Sequence, residues 1–403
     1  MTVPTIPSAR RHQRRGRLLP VLLALALAAA ACTSTSGGGT APAVPAASAQ
    51  VSLKGVCPDP VVIQTNWWPQ SEHGAAYQLV GNDYRIDAEH KRVTSTLTVK
   101  GKSTGVRIQV RAGGPAVGFQ SSAALMYQDP PITLGMVQSD EIIQYSKTQP
   151  VLGVVAPLLI DPQIILWDPK THPDWHVIAD IGQTNTTVFY FQGSAYMEYL
   201  IGSGILRRSQ VNGSYNGAPD VFVGARGKVG ARGKVAVQGY DTNEPYTYQH
   251  EVKAWGRPVA AQLVYSTGYP NYGNVLAIRT DKRDALDGCL HRLVPILQQA
   301  QVDFITHPNP AINLIVKLVD AYKGGFVYSR GNAEFAVAQM RRDGIVANSA
   351  PGTLGAFDTG RLARLIGITQ PIFAGLHKQI KPGLGPVDLA TNAYIDPSIG
   401  LHQ

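Results

Sequence analysis

The chain has 403 residues, 44% hydrophobic and 16% charged, which excludes global disorder and exceeds what one simple core accommodates. The length predicts two domains or one two-lobed unit. The net charge of +9 is concentrated at one end: removing Arg10, Arg11, Arg14, Arg15 and Arg17 leaves +4, too mild a balance for a nucleic-acid footprint.

Residues 1–31 read as an export signal. The basic cluster precedes an apolar stretch over residues 18–31, broken only by Pro20 and too short to cross a bilayer. It ends in Ala29-Ala30-Ala31-Cys32, which resembles the bacterial lipobox with Ala29 where that motif prefers Leu. Cys32 is therefore the expected lipidation site; ordinary cleavage ahead of an incidental cysteine is the alternative. Residues 32–56 form the predicted tether, rich in Ser, Gly, Ala, Thr and Pro without an apolar period. Of the remaining cysteines, Cys57 and Cys289 are either one bridge or two buried thiols. Their spacing does not suggest zinc, and no motif asks for a cofactor.

From Pro60 onward, β-like runs alternate with helical stretches, the pattern of an α/β architecture. Val61-Val62-Ile63 predicts a buried strand, followed by a helix over residues 72–80. Residues 106–110 alternate as a second strand and run into Ala112-Gly113-Gly114-Pro115, with Pro placed where a helix begins. Residues 132–137 predict a third strand, after which Ser139 or Asp140 would cap a helix. In open α/β sheets ligands collect at the carboxyl ends of strands, where helix N-termini offer free N–H groups. These three turns are the first expected ligand-facing segments.

The apolar run 151–159 predicts a crossover strand into a second lobe. Residues 180–187, with Thr184 and Thr186 near Gly182, predict another turn into a helix. Residues 235–240 read as a strand followed by Asn243-Glu244-Pro245-Tyr246, and residues 260–264 as the return crossover. Helices are expected over residues 290–300 and 312–321 and around Phe335, Ala338 and Met340. The resulting division is 57–150 and 265–403 for one lobe and 151–264 for the other. A tandem hexapeptide at 224–229 and 230–235 lacks the Gly-Lys-Ser/Thr ending of a phosphate loop and reads as a surface-loop insertion.

The stretch Asn66-Trp67-Trp68-Pro69-Gln70-Ser71-Glu72-His73-Gly74-Ala75-Ala76-Tyr77 resembles a signature of ABC-importer substrate-binding lipoproteins, in the nitrate/sulfonate/taurine and thiamine-pyrimidine-precursor-binding family. Trp67, Pro69, His73 and Tyr77 fall at the family spacings; Asn66 replaces the family Asp. Asn243-Glu244-Pro245-Tyr246 is similar to the family's acidic-Pro-Tyr segment, and the order of elements agrees from about Cys57 onward. The resemblance implies an α/β two-lobed periplasmic-binding-protein fold (type II, Venus-flytrap) with two crossover strands and a ligand in the cleft. It also implies ABC permease and ATPase partners and a lipid anchor on the outer face of the cell membrane. No nucleic acid, cofactor or catalytic residue is implied. Members that synthesise the thiamine pyrimidine use a cysteine-rich segment, which is not found here, so an enzyme is not expected.

The expected ligand is a small nitrogen-containing aromatic molecule such as a thiamine pyrimidine precursor. The alternatives are a flavin-like ring, an aliphatic sulfonate, taurine or nitrate, and, in another class, a pyrimidine-precursor synthase. Trp67 would stack on a flat ring, with Trp68 the weaker partner. His73 would either hydrogen-bond the ligand or satisfy the core, and Tyr77, one turn on, would donate its hydroxyl or pack. Glu244 would accept from an amino-bearing ligand and repel anions, unless it is a surface acid before a Pro turn. Asn66, Gly113, Gly114, Ser139, Thr184, Thr186, Asn243 and Tyr246 complete the expected ligand-facing set.

Overall fold

A computed structural model describes residues 52–225 and 234–402. The export signal, Cys32, nearly all of the tether and most of the tandem hexapeptide lie outside the described residues.

Two sheets organise the chain. The first has seven strands in the order β2-β3-β4-β1-β5-β12-β6: β1 (Val61–Gln64), β2 (Arg85–Asp87), β3 (Arg92–Val99), β4 (Lys102–Arg111), β5 (Leu134–Val137), β6 (Val151–Val155) and β12 (Val275–Arg279). The second has five in the order β11-β7-β10-β8-β9: β7 (Gln163–Trp167), β8 (Thr187–Phe189), β9 (Val211–Asn212), β10 (Val235–Tyr240) and β11 (Ala260–Leu263). This is the two-lobed periplasmic-binding fold of type II. The inner strands β1, β5 and β7, and the edge strand β6, are buried along their whole length. They are nearly continuous apolar runs because both faces of the sheet are covered. By contrast β3 alternates buried and part-exposed residues, since one of its faces meets solvent. Its outer face of Thr94, Thr96 and Thr98, with Ser95 among the buried positions, breaks the apolar pattern and explains why the sequence reading passed over β3.

Helices Arg283–Thr306, Asn309–Tyr322 and Arg330–Arg342 belong to the first lobe's core. In Asn309–Tyr322 the buried set Ala311, Ile312, Leu314, Ile315, Leu318, Val319 and Tyr322 follows the helical period. Cys57 and Cys289 are bonded, tying the start of the fold to the first of these helices across a separation of 232 residues.

The chain leaves the first sheet after Val155 and re-enters it at Val275. The run expected as a crossover strand from residue 151 is thus a first-sheet strand up to Val155, and Ala260–Leu263 pairs with β7 in the second sheet. The crossings are the irregular segments that follow each strand. Arg361 holds both: its guanidinium donates to the carbonyls of Leu159 on one crossing and of Pro270 and Asn271 on the other. Its planar fork also lies 3.6 Å over the Tyr272 ring.

Candidate functional site

The seam between the lobes is lined from the carboxyl ends of β1, β4, β5, β8 and β10, where an open α/β sheet collects ligands. Past β1, the Thr65 hydroxyl donates to the carbonyls of Trp67 and Arg111 at 2.8 and 2.9 Å. The Gly113 N–H donates to the Trp67 carbonyl at 2.9 Å. A Cβ on Gly113 would stand 2.1 Å from the Thr65 carbonyl, and one on Gly114, at φ +58°, would stand 2.4 Å from the indole. These two glycines let the β1 and β4 ends close together beneath Trp67; they shape the site through the indole.

Trp67 then reaches across the seam. Its ring lies 6.0 Å from Phe119 of its own lobe and 5.6 Å from Phe191, two residues beyond β8 of the other lobe. Phe119 and Phe191 are 5.9 Å apart, and Phe191 is 5.3 Å from Tyr215. All four contacts are tilted, the geometry that aromatic quadrupoles favour over face-to-face stacking. Phe119 is 54% exposed and has φ +61°, so an apolar ring is presented at the rim on a backbone that L residues seldom adopt.

A polar chain runs beside the rings. Asn66 Nδ2 donates to Asn274 Oδ1 at 2.8 Å, so Asn66 Oδ1 is the acceptor for His73 Nε2–H at 2.9 Å. The Asn274 N–H donates to Gln138 Oε1 at 2.9 Å, and Gln138 Nε2 donates to the Tyr240 hydroxyl of the second lobe at 2.8 Å. His73 is fully buried, and burial pushes its pKa down to about 3, outweighing its backbone contact with Trp68. It is a neutral donor that orients Asn66, with no base chemistry open to it near neutral pH.

Two carboxylates meet this chain. Glu72 is 1% exposed; its Oε1 accepts from the Thr242 hydroxyl of the second lobe, and its Oε2 has no partner. Burial raises its pKa, with the Thr242 bond opposing. Glu244 Oε2 accepts from the Tyr240 N–H at 2.5 Å. Burial pushes its pKa up to about 7, and the Glu72 charge adds to the rise. The Glu244 charge is also felt by the Tyr215 hydroxyl. Trp67, Phe191, Tyr215 and Glu244 are therefore successive neighbours along one seam. Asp140, Glu141 and Asp161 lie near the crossings, bonded to the Tyr269 hydroxyl, the Gln138 N–H and Asn271 Nδ2. Burial raises all three, Glu141 to about 7 and Asp161 to about 6.

Other expected residues lie elsewhere. Tyr77 is in the first lobe's core near Tyr322, and Trp68 is buried against Gly324. The helix expected to be capped by Ser139 or Asp140 starts at Ser139 with Gln138 as its cap. Its N-terminus is already filled: Asn271 Oδ1 accepts from the Ser139 hydroxyl and the Asp140 N–H at 2.6 and 3.0 Å. Residues 180–187 run opposite to expectation, since the helix Ile178–Gly182 ends there and β8 begins. Thr184 and Thr186 bond each other at the amino end of β8, where Gln210 Nε2 caps their carbonyls. Asn243 Oδ1 accepts from Asn332 Nδ2 at 2.7 Å, and the Tyr246 ring packs 5.6 Å from Phe335. Both fasten the second lobe to helix Arg330–Arg342 and do not face the rings.

Sequence reasoning missed Glu72, Phe119, Gln138, Phe191, Tyr215, Tyr240, Thr242 and Asn274. Of these, Glu72 lay inside the quoted stretch, Gln138 in the expected turn after the third strand and Tyr240 at the end of the strand over 235–240; the others carried no signal. Among the described residues no group of three or more His, Cys, Asp or Glu is placed to hold a metal ion. No described helix is long and apolar enough to cross a membrane.

No family model matches the chain, and no curated protein matches it. Solved structures do. A Bordetella bronchiseptica RB50 protein aligns with TM-score 0.51 and 14% identity over 84% of this chain and 96% of its own. The periplasmic aliphatic sulphonate binding protein SsuA from Escherichia coli aligns with TM-score 0.51 and 12% identity over 86% of this chain and 95% of its own. At these identities the likeness shows the fold, two lobes of periplasmic-binding type.

Proposed function

We propose that the protein is the extracytoplasmic substrate-binding component of an ABC importer. Its lobes, 57–150 with 265–403 and 151–264, close by hinge motion at the two crossings on a small nitrogen-containing aromatic ligand resembling a thiamine pyrimidine precursor. Lipidation at Cys32 would hold it on the outer face of the membrane beside its permease and ATPase. The observation that carries this reading is the meeting of an aromatic cluster with the buried carboxylate of Glu72 and the half-buried one of Glu244 at one seam, from segments of both lobes. Rings offer stacking surface to a flat ligand, and carboxylates accept from its amino groups.

The same carboxylates oppose the aliphatic sulfonate, taurine and nitrate alternative, because a buried anion beside Glu72 and Glu244 adds like charge to a low-dielectric site. A synthase reading has no activated nucleophile to rest on among the described residues of the seam, where His73 is occupied with Asn66. A thermal-shift screen of the protein from residue 51 onward, across pyrimidines, flavins and sulfonates, tests the proposal. A shift with ring compounds supports it. A shift with sulfonates and none with rings overturns it.

A further inference from the structure

We infer that Glu72 is a ligand-binding residue and that, with Glu244, it forms a two-carboxylate site for a protonated nitrogen carrying several N–H donors. This rests on the ring-ligand reading above and deepens it: the molecule captured is a cation.

The argument begins with the backbone. The segment that carries Glu72 is held on three sides. The Ser71 N–H donates to the Tyr328 hydroxyl at 3.0 Å, the Ser71 hydroxyl donates to the Ala333 carbonyl at 3.0 Å, and Asn274 Nδ2 donates to the Glu72 carbonyl at 3.3 Å. Glu72 therefore cannot swing out to solvent without unpicking that network. Its carboxyl group is nonetheless only half used. Oε1 takes the Thr242 hydroxyl, while Oε2 is buried without a partner. Protonation does not resolve this, because a neutral carboxyl would leave either an acceptor or an O–H donor unmet at Oε2. Buried polar atoms with no partner are uncommon and costly, and each one calls for a reason.

Charge points the same way. Among the described residues neither Glu72 nor Glu244 forms an ion pair with Lys, Arg or His. Glu244 feels the charge of Glu72, and the phenols of Tyr240 and Tyr328 lie within the field of Glu72 and that of Tyr215 within the field of Glu244. A cation placed between them would relieve the burial of both at once and give Oε2 its missing donor. An ammonium brings three N–H groups and an amidinium at least two directions of donation, enough to serve two acceptors. The adjoining rings Trp67, Phe191 and Tyr215 add the favourable face that aromatic quadrupoles present to positive charge.

The test uses two probes that share a ring and differ in charge: 4-amino-5-aminomethyl-2-methylpyrimidine, whose arm is an ammonium, and its 5-hydroxymethyl counterpart, whose arm is neutral. Calorimetry at pH 7.5 should show the ammonium compound bound roughly tenfold or more tightly than the neutral one, as for hydrogen bonds to a charged group. E72Q should abolish that preference. It should melt no lower than wild type when ligand-free, because it removes a buried charge and keeps an acceptor for Thr242. Equal binding of the two probes, preference for the neutral one, or an undiminished preference in E72Q overturns the inference and leaves the ring-ligand reading standing. If neither compound binds, that reading falls and takes the inference with it.

Discussion

The two lobes supply the seam in different ways. The first delivers Asn66, Trp67, Glu72 and His73 from one stretch behind β1, over a floor of two glycines and beside a lobe tied by the Cys57–Cys289 bond. The second assembles Phe191, Tyr215, Tyr240, Thr242 and Glu244 from the ends of different elements. The contrast is sharpest on β8, whose two ends look alike only in the sequence. Its amino end holds Thr184 and Thr186, closed on themselves and on Gln210, while its carboxyl end leads to Phe191 in the ring cluster. Strand direction, more than residue type, decides which polar turn meets a ligand.

The first lobe should behave as a stiff platform, and losing its cross-link is the largest way to break that picture. Replacing Cys57 by Ser opens a loop of 232 residues' separation. Chain entropy for a loop of that length puts the loss near about 5 kcal/mol. Urea unfolding of C57S against wild type checks it; an unchanged midpoint would mean the bond adds nothing to the lobe. Next in size is G113A, whose Cβ would collide with the Thr65 carbonyl. Overpacking against backbone predicts a loss of about 1–3 kcal/mol by the same measurement, with Trp67 displaced and its fluorescence changed.

The ends of β8 can be set against each other directly. F191A and W67A should each weaken a pyrimidine ligand found by the thermal-shift screen by roughly tenfold or more, as expected when stacking surface is lost. T186V should leave the affinity unchanged, measured by calorimetry on the same ligand. A T186V protein as impaired as F191A would erase the distinction between the two ends.

Legibility followed the same divide. The architecture was readable because buried strands such as β1, β5 and β10 are apolar runs bounded by turns, and because Trp67 and His73 sit in one compact stretch. Glu244 was readable from its Pro-Tyr neighbours. Phe191 and Thr242 were not, since nothing local marks a residue whose role comes from a partner more than a hundred positions away in the first lobe. Ser139 was misplaced for a different reason. A helix N-terminus at a strand end looks open in the sequence, and only the fold shows that Asn271 already fills it. Tyr77 shares a helical spacing with His73, yet both prove buried, one in the core and one bonded to Asn66.

The smallest effect sharpens the electrostatic side of the comparison, because the second lobe's carboxylate has a testable sign. Glu244 has a folded pKa of about 7 against an ordinary 4.5, so its raised value opposes ionisation in the folded protein. Below pH 4.5 both folded and unfolded chains carry the proton, and the group exacts no penalty. As pH climbs toward 7 the unfolded chain ionises first, and ligand-free stability falls until the folded group ionises as well. E244Q cannot ionise, and His73 is common to both proteins and cancels in the comparison. The melting temperature of E244Q relative to wild type should therefore rise between pH 5 and pH 8, by about 2 °C. It should level off above pH 7, as followed by circular dichroism without ligand. A relative fall at pH 8 would mean that Glu244 is held by a cation of the protein itself, leaving the seam no unmatched negative charge with which to select a positive ligand.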